Sequence, residues 1–150
     1  MKLLSKVVWC FSDKKHEDLE QFNKKVAKYN HEIMGNENVW DAEKMVALSE
    51  KIDIYYTAGI TGPEDILPNE ELCEEDDFFE DEDNSDGDHF QAEIKMTLEA
   101  NNQKYFLAGE LLFKIHNQFA NKELGDHTFF EGLSELEGGN LHKFYIHCGS

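Results

Sequence analysis

The side chains best equipped for chemistry in this chain are carboxylates, and they are crowded together. Glu70, Glu71, Glu74, Glu75, Asp76, Asp77, Glu80, Asp81, Glu82, Asp83, Asp86 and Asp88 fall within nineteen positions, with Phe78 and Phe79 set among them. Like charge at this density raises the local concentration of cations or basic proteins and steers their approach. Two adjacent aromatic rings inside a charged rim suit an interface, where the rim speeds arrival and a buried anchor slows departure. The expectation is a docking surface for a basic protein, with Phe78 and Phe79 as its anchors. The plainer alternative is a solvated loop that keeps the chain soluble. In that case Ile66, Leu67, Leu72, Phe78 and Phe79 tack the segment onto the body.

The same stretch holds a near match to a calcium loop. Counting from Glu82, Asn84, Asp86 and Asp88 occupy positions 3, 5 and 7, Gly87 position 6 and Glu93 position 12. Alternating oxygen ligands, a glycine at the sharp turn and a final two-oxygen carboxylate are what calcium requires. Against it, position 1 is Glu, position 8 is His89, and Glu93 falls in a strand pattern where an exit helix belongs. A second alternative is thiol chemistry, with Cys148 near His127 across a hairpin, although no flanking motif supports it. His142 and Cys148 stand about 20 Å apart on an extended strand and cannot share a metal. His16, His31 and His116 read as surface or boundary residues of helices. No phosphate loop, paired-cysteine zinc motif or nucleophile elbow occurs, so no cofactor and no catalytic residue is assigned.

Charge is distributed unevenly along the chain. Residues 52–94 contain sixteen Asp and Glu and no Lys or Arg, while residues 1–51 contain nine of each sign; the formal net charge is −18. All fourteen basic residues are Lys. Without the guanidinium fork, and at this net charge, direct binding to nucleic acid is not expected. No apolar run approaches the roughly 18 residues of a membrane span. The opening residues resemble a signal peptide only until Lys6 interrupts them. Three widely spaced cysteines suit a reducing cytoplasm better than a disulfide framework.

These residues must be positioned by one domain of 150 residues, a length that supports a real core. Residues 3–11 read as a buried strand, and Ser12 and Asp13 as the N-cap of a helix. Leu19, Phe22, Val26, Tyr29 and Ile33 follow at helical spacing and end at Gly35. After a turn at residues 35–38, a shorter helix from about Asp41 is predicted with Met45, Leu48 and Ile52 inward, then a strand over 52–57. From Ala58 to Asp88 periodicity vanishes, and an acidic, mobile internal segment is expected over 59–88. Phe90, Ala92, Ile94, Met96 and Leu98 alternate as a strand. Asn101-Asn102-Gln103 then turns the chain into a hairpin partner over 104–107, followed by a helix from about Ala108 to Glu123. Strands near 127–136 and 141–148 are joined by a turn at Glu137-Gly138-Gly139-Asn140. The predicted fold is α+β, a mostly antiparallel sheet with helices on one face and a long acidic connection in the middle.

An arginine-free, strongly acidic single domain of this size and order resembles the immunity proteins of bacterial toxin–antitoxin and contact-dependent inhibition systems. The resemblance lies in size, charge and architecture over the whole chain, and it assigns no individual residue. It implies a non-enzymatic cytoplasmic protein that neutralises a basic, nuclease-like toxin domain by covering it; a DNA mimic is a close variant. Gly125-Asp126-His127-Thr128-Phe129-Phe130-Glu131-Gly132 and Cys148-Gly149-Ser150 have the look of family signatures.

Overall fold

A computed structural model describes residues 2–35, 40–136 and 142–150. In chain order the elements are β1 (Lys2–Leu3), β2 (Trp9–Cys10), α1 (Leu19–Met34), β3 (Met45–Ala47), β4 (Lys51–Ile60), β5 (Glu70–Leu72), β6 (Ser85–Asp86), β7 (His89–Glu99), β8 (Phe106–Leu107), α2 (Ala108–Gln118), β9 (Phe129–Glu135) and β10 (Lys143–Gly149). The main sheet runs β1-β9-β10-β4-β7-β5, with β2 also on β9 and β6 also on β7; β3 and β8 form a separate pair. Among the described strands only β10 and β4 run parallel; the other pairings are antiparallel. The fold is the α+β arrangement that the element order predicts.

The centre of the sheet follows from alternation. Ile52, Ile54, Tyr56, Ala58 and Ile60 on β4 lie opposite Leu98, Met96, Ile94, Ala92 and Phe90 on β7, in register over ten residues. With side chains alternating in period two, all of these point to one face, and nearly all are fully buried. The helices bring Phe22, Val26, Leu111, Leu112 and Ile115 into the same core. Asp18 caps α1 by accepting hydrogen bonds from the Glu20 and Gln21 amides, and Gly35 ends the helix in the left-handed region at φ 64°. Asn30, fully buried on α1, accepts from the Val8 amide and donates to the Val8 carbonyl, fastening the helix to the first segment.

Several sequence-based expectations are corrected. The helix cap is Asp18, not Ser12 or Asp13, because the Asn117 side chain holds the His16 backbone outside the helix through both its amide and its carbonyl. Residues 3–11 are not one strand. The chain turns at Leu4 (φ 56°) between β1 and β2, and both pair with β9. The turn crosses Gly132, where a Cβ would lie 3.1 Å from the Ser5 Cα. The second helix does not form. Met45 and Leu48 are exposed, and Ile52 is buried on β4, because β8 offers residues 45–47 a strand partner and the period-two pattern after Ser49 prevails. The hairpin expected after β7 also fails. Asn102 accepts from the Lys104 and Tyr105 amides and turns the chain toward β3. His116 is buried, and His16 precedes α1. The helix expected over 108–123 forms as α2 but ends at Gln118, followed by a 3-10 turn over Phe119–Asn121, and the antiparallel pairing of β9 with β10 follows expectation. The predicted turns at 36–38 and 137–140 lie outside the described residues.

Candidate partner-binding surface

The acidic stretch is not an unstructured connection. Its first two residues, Gly59 and Ile60, complete β4. Later parts pair with β7 as β5 and β6, separated by short 3-10 turns at Phe78–Glu80 and Glu82–Asn84. Apolar and ionic anchors hold it down. Phe78 is buried, and its ring meets those of Phe79 and Phe90 at 5.2 and 5.9 Å, with Phe79 and Phe90 5.1 Å apart. Edge-on packing of this kind adds to the area buried. Asn84 donates to the Phe78 carbonyl at 3.0 Å, and the Glu74 carboxylate accepts from the Glu93 amide at 2.9 Å. Phe78 is therefore a core residue and not an anchor for a partner, and Phe79 is half-buried.

Glu70 also leaves the predicted surface. Its side chain and that of Lys122 are both fully buried, 2.9 Å apart. The Leu67 amide and the Tyr56 hydroxyl also donate to it. Burial, with Glu70 alongside, pushes the Tyr56 phenol well above its usual range, so it stays a donor. A buried carboxylate is tolerable here because each oxygen has a partner. Glu71, by contrast, pairs with Lys95 at 3.0 Å at the surface. Glu71, Glu75, Asp76, Asp77, Glu80, Asp81, Glu82, Asp83, Asp86 and Asp88 are exposed. Ten carboxylates thus remain on the outside of a segment whose ring side chains face in.

The calcium-loop spacing resolves into a different structure. Asp86 pairs with His89 around a tight turn at Gly87 (φ 69°), and Glu93 sits within β7 opposite Thr57. Among the described residues, no group of three or more His, Cys, Asp or Glu is placed to hold a metal ion. The spacing matched because a two-residue hairpin also selects Gly flanked by Asp.

A cleft that the sequence did not disclose opens at the same end of the sheet. The parallel ladder between β4 and β10 covers only residues 53–55 and 143–145. Beyond it the strands part, and the Glu123 backbone takes over by exchanging both hydrogen bonds with Gly59. The space left, about 320 Å³, is lined by Thr57, Gln91, His127, Glu131, Tyr145, His147 and Cys148 over a floor including Phe119 and Ile146. On β9, Glu131 and Gly132 together face His147 in a bulge. Bulges re-aim side chains; a Cβ on Gly149 would collide with the Glu131 carboxylate, so that side chain lies across the end of β10. Cys148 and His127 do share this cleft. Burial, reinforced by Glu131, pushes the Cys148 thiol up to about 12, the opposite of what a nucleophile needs. His147 instead shares a 2.7 Å hydrogen bond with Ser134. The signal that could have found the cleft was the pair of stretches 125–132 and 148–150, which the sheet brings together.

Among the described residues, no helix is long and apolar enough to cross a membrane. Compared with known protein families, curated proteins and solved structures, the chain matches none.

Proposed function

We propose that this chain is a non-catalytic inhibitor that binds and neutralises a basic protein, in the manner of an immunity protein acting on a nuclease-like toxin domain in the cytoplasm. One observation carries the reading: ten exposed carboxylates stand on a segment pinned to β7 by the buried Phe78 ring, by strand pairing and by the Glu74 carboxylate on the Glu93 amide. A negative surface held in one shape loses little further freedom on binding, so more of its attraction appears as affinity. It also accelerates encounter with a positive partner by about 10–10³-fold at low salt. The raised Cys148 thiol weighs against a cysteine hydrolase in the same fold.

The test is association with a basic nuclease toxin domain, sought in the genes flanking this one, measured against ionic strength. The association rate is expected to fall by about tenfold or more from low to high salt. Replacing Glu75, Asp76, Asp77 and Glu80 by their amides should flatten that dependence and sensitise toxin-producing cells. Full protection by the amide variant, with unchanged salt dependence, would place the binding face elsewhere.

A further inference from the structure

The cleft between β4 and β10 is the feature that the acidic surface does not explain. It lies where the two parallel strands part, between Thr57 on β4 and Tyr145–Cys148 on β10. β4 ends there, β7 begins there, and β6 folds onto β7 at residues 89–90, immediately before Gln91 of the cleft. The acidic hairpin and the cleft therefore share one end of the sheet. Among the described residues no lysine lines the cleft, its carboxylate is Glu131, and Asp126 lies on the neighbouring surface beside His127. Its volume of about 320 Å³ is at the lower limit of ligand sites, nearer to one long side chain than to a cofactor.

We infer that this cleft seats a single arginine side chain of the basic partner, its guanidinium against Glu131 and its stem along Tyr145 and Ile146. The planar fork suits a carboxylate through two parallel hydrogen bonds, and the Tyr145 ring offers a face for stacking. The Glu131 carboxylate, beside the bulge and lying across the end of β10 against Gly149, is the one that lines the cleft. This inference rests on the proposed function: the exposed carboxylates bring the partner in, and the cleft supplies the anchor first sought in Phe78.

The probe is N-acetyl-arginine amide, titrated into the full chain at physiological salt while backbone amide resonances are followed. Its neutral isostere N-acetyl-citrulline amide is the control. Saturable shifts are expected at Gln91, Glu131, His147 and Cys148, about tenfold weaker for citrulline. Glu131→Gln should weaken arginine binding by about the same factor, with the rest of the spectrum unchanged. Equal response to both probes, or no effect of Glu131→Gln, overturns the inference. Shifts confined to residues 75–88 overturn it too while leaving the proposed function intact. Loss of all salt-dependent partner binding would instead remove that function.

Discussion

Glu70 and Glu80 are ten positions apart and carry the same group, yet the fold uses them in opposite ways. Glu70 is sealed beside Lys122 with every oxygen partnered, while Glu80 and its neighbours face water. The buried carboxylate holds the connection to the body; the exposed ones act on what approaches from outside. What separates them is desolvation. A charge inside must be matched atom by atom, whereas charges outside are screened and adjustable. One acidic run therefore contains both a structural pin and a candidate recognition surface.

The contrast is broken most severely at the pin. Glu70→Ala leaves the Lys122 ammonium buried without a counter-charge, with only the Asn121 side-chain oxygen at 2.6 Å, and should cost about 3–5 kcal/mol of stability. Chemical denaturation of the variant measures this, and the double variant Glu70→Leu/Lys122→Met should recover most of it. Phe78→Ala comes next, at about 3 kcal/mol, because it opens the ring cluster beneath the acidic hairpin. Amide exchange of residues 76–90 should accelerate in that variant more than exchange of α1.

A neutral buried group gives an intermediate effect. His116 accepts at Nδ1 from the Trp9 indole at 3.1 Å, and its Nε2 lies 2.7 Å from the Lys14 carbonyl, so its ring has no free site for a proton. Burial lowers its pKa from 6.5, only partly countered by the Lys14 carbonyl. The unfolded chain then binds more protons than the native one below about pH 6.5, and stability must fall as pH drops through that range, by up to about 1.4 kcal/mol per pH unit for one proton. Thermal melts from pH 7.5 to 5 should show this slope, reduced in His116→Gln. The smallest effect belongs to the exposed set. Glu75→Gln, Asp76→Asn, Asp77→Asn and Glu80→Gln should each shift stability by less than about 0.5 kcal/mol. A large loss from any of them would erase the distinction between pin and surface.

The fold was legible wherever one periodicity stood alone. The alternation at Phe90–Leu98 and the helical steps from Leu19 to Tyr29 appear as expected. Residues 41–52 mislead because Met45, Leu48 and Ile52 sit at helical spacing by coincidence, and only the distant β8 reveals residues 45–47 as a strand. The site was legible in its charge and not in its geometry. Nothing in the local sequence of Glu70 announces Lys122, fifty-two positions away, and nothing around Phe78 announces Phe90. The cleft was invisible for the same reason: it exists only because two strands ninety positions apart in the chain run side by side and then part.

The position of β10 has a consequence for synthesis. Its neighbours are β9 and β4, so it completes the middle of the sheet and not its margin. On the ribosome, β4 can zip to β7 once residue 99 has emerged, but its opposite flank stays bare until residue 143 follows. During that interval an apolar strand lies open to stray pairing, while the charge gathered between residues 70 and 88, on the far side of β7, repels identical chains on neighbouring ribosomes.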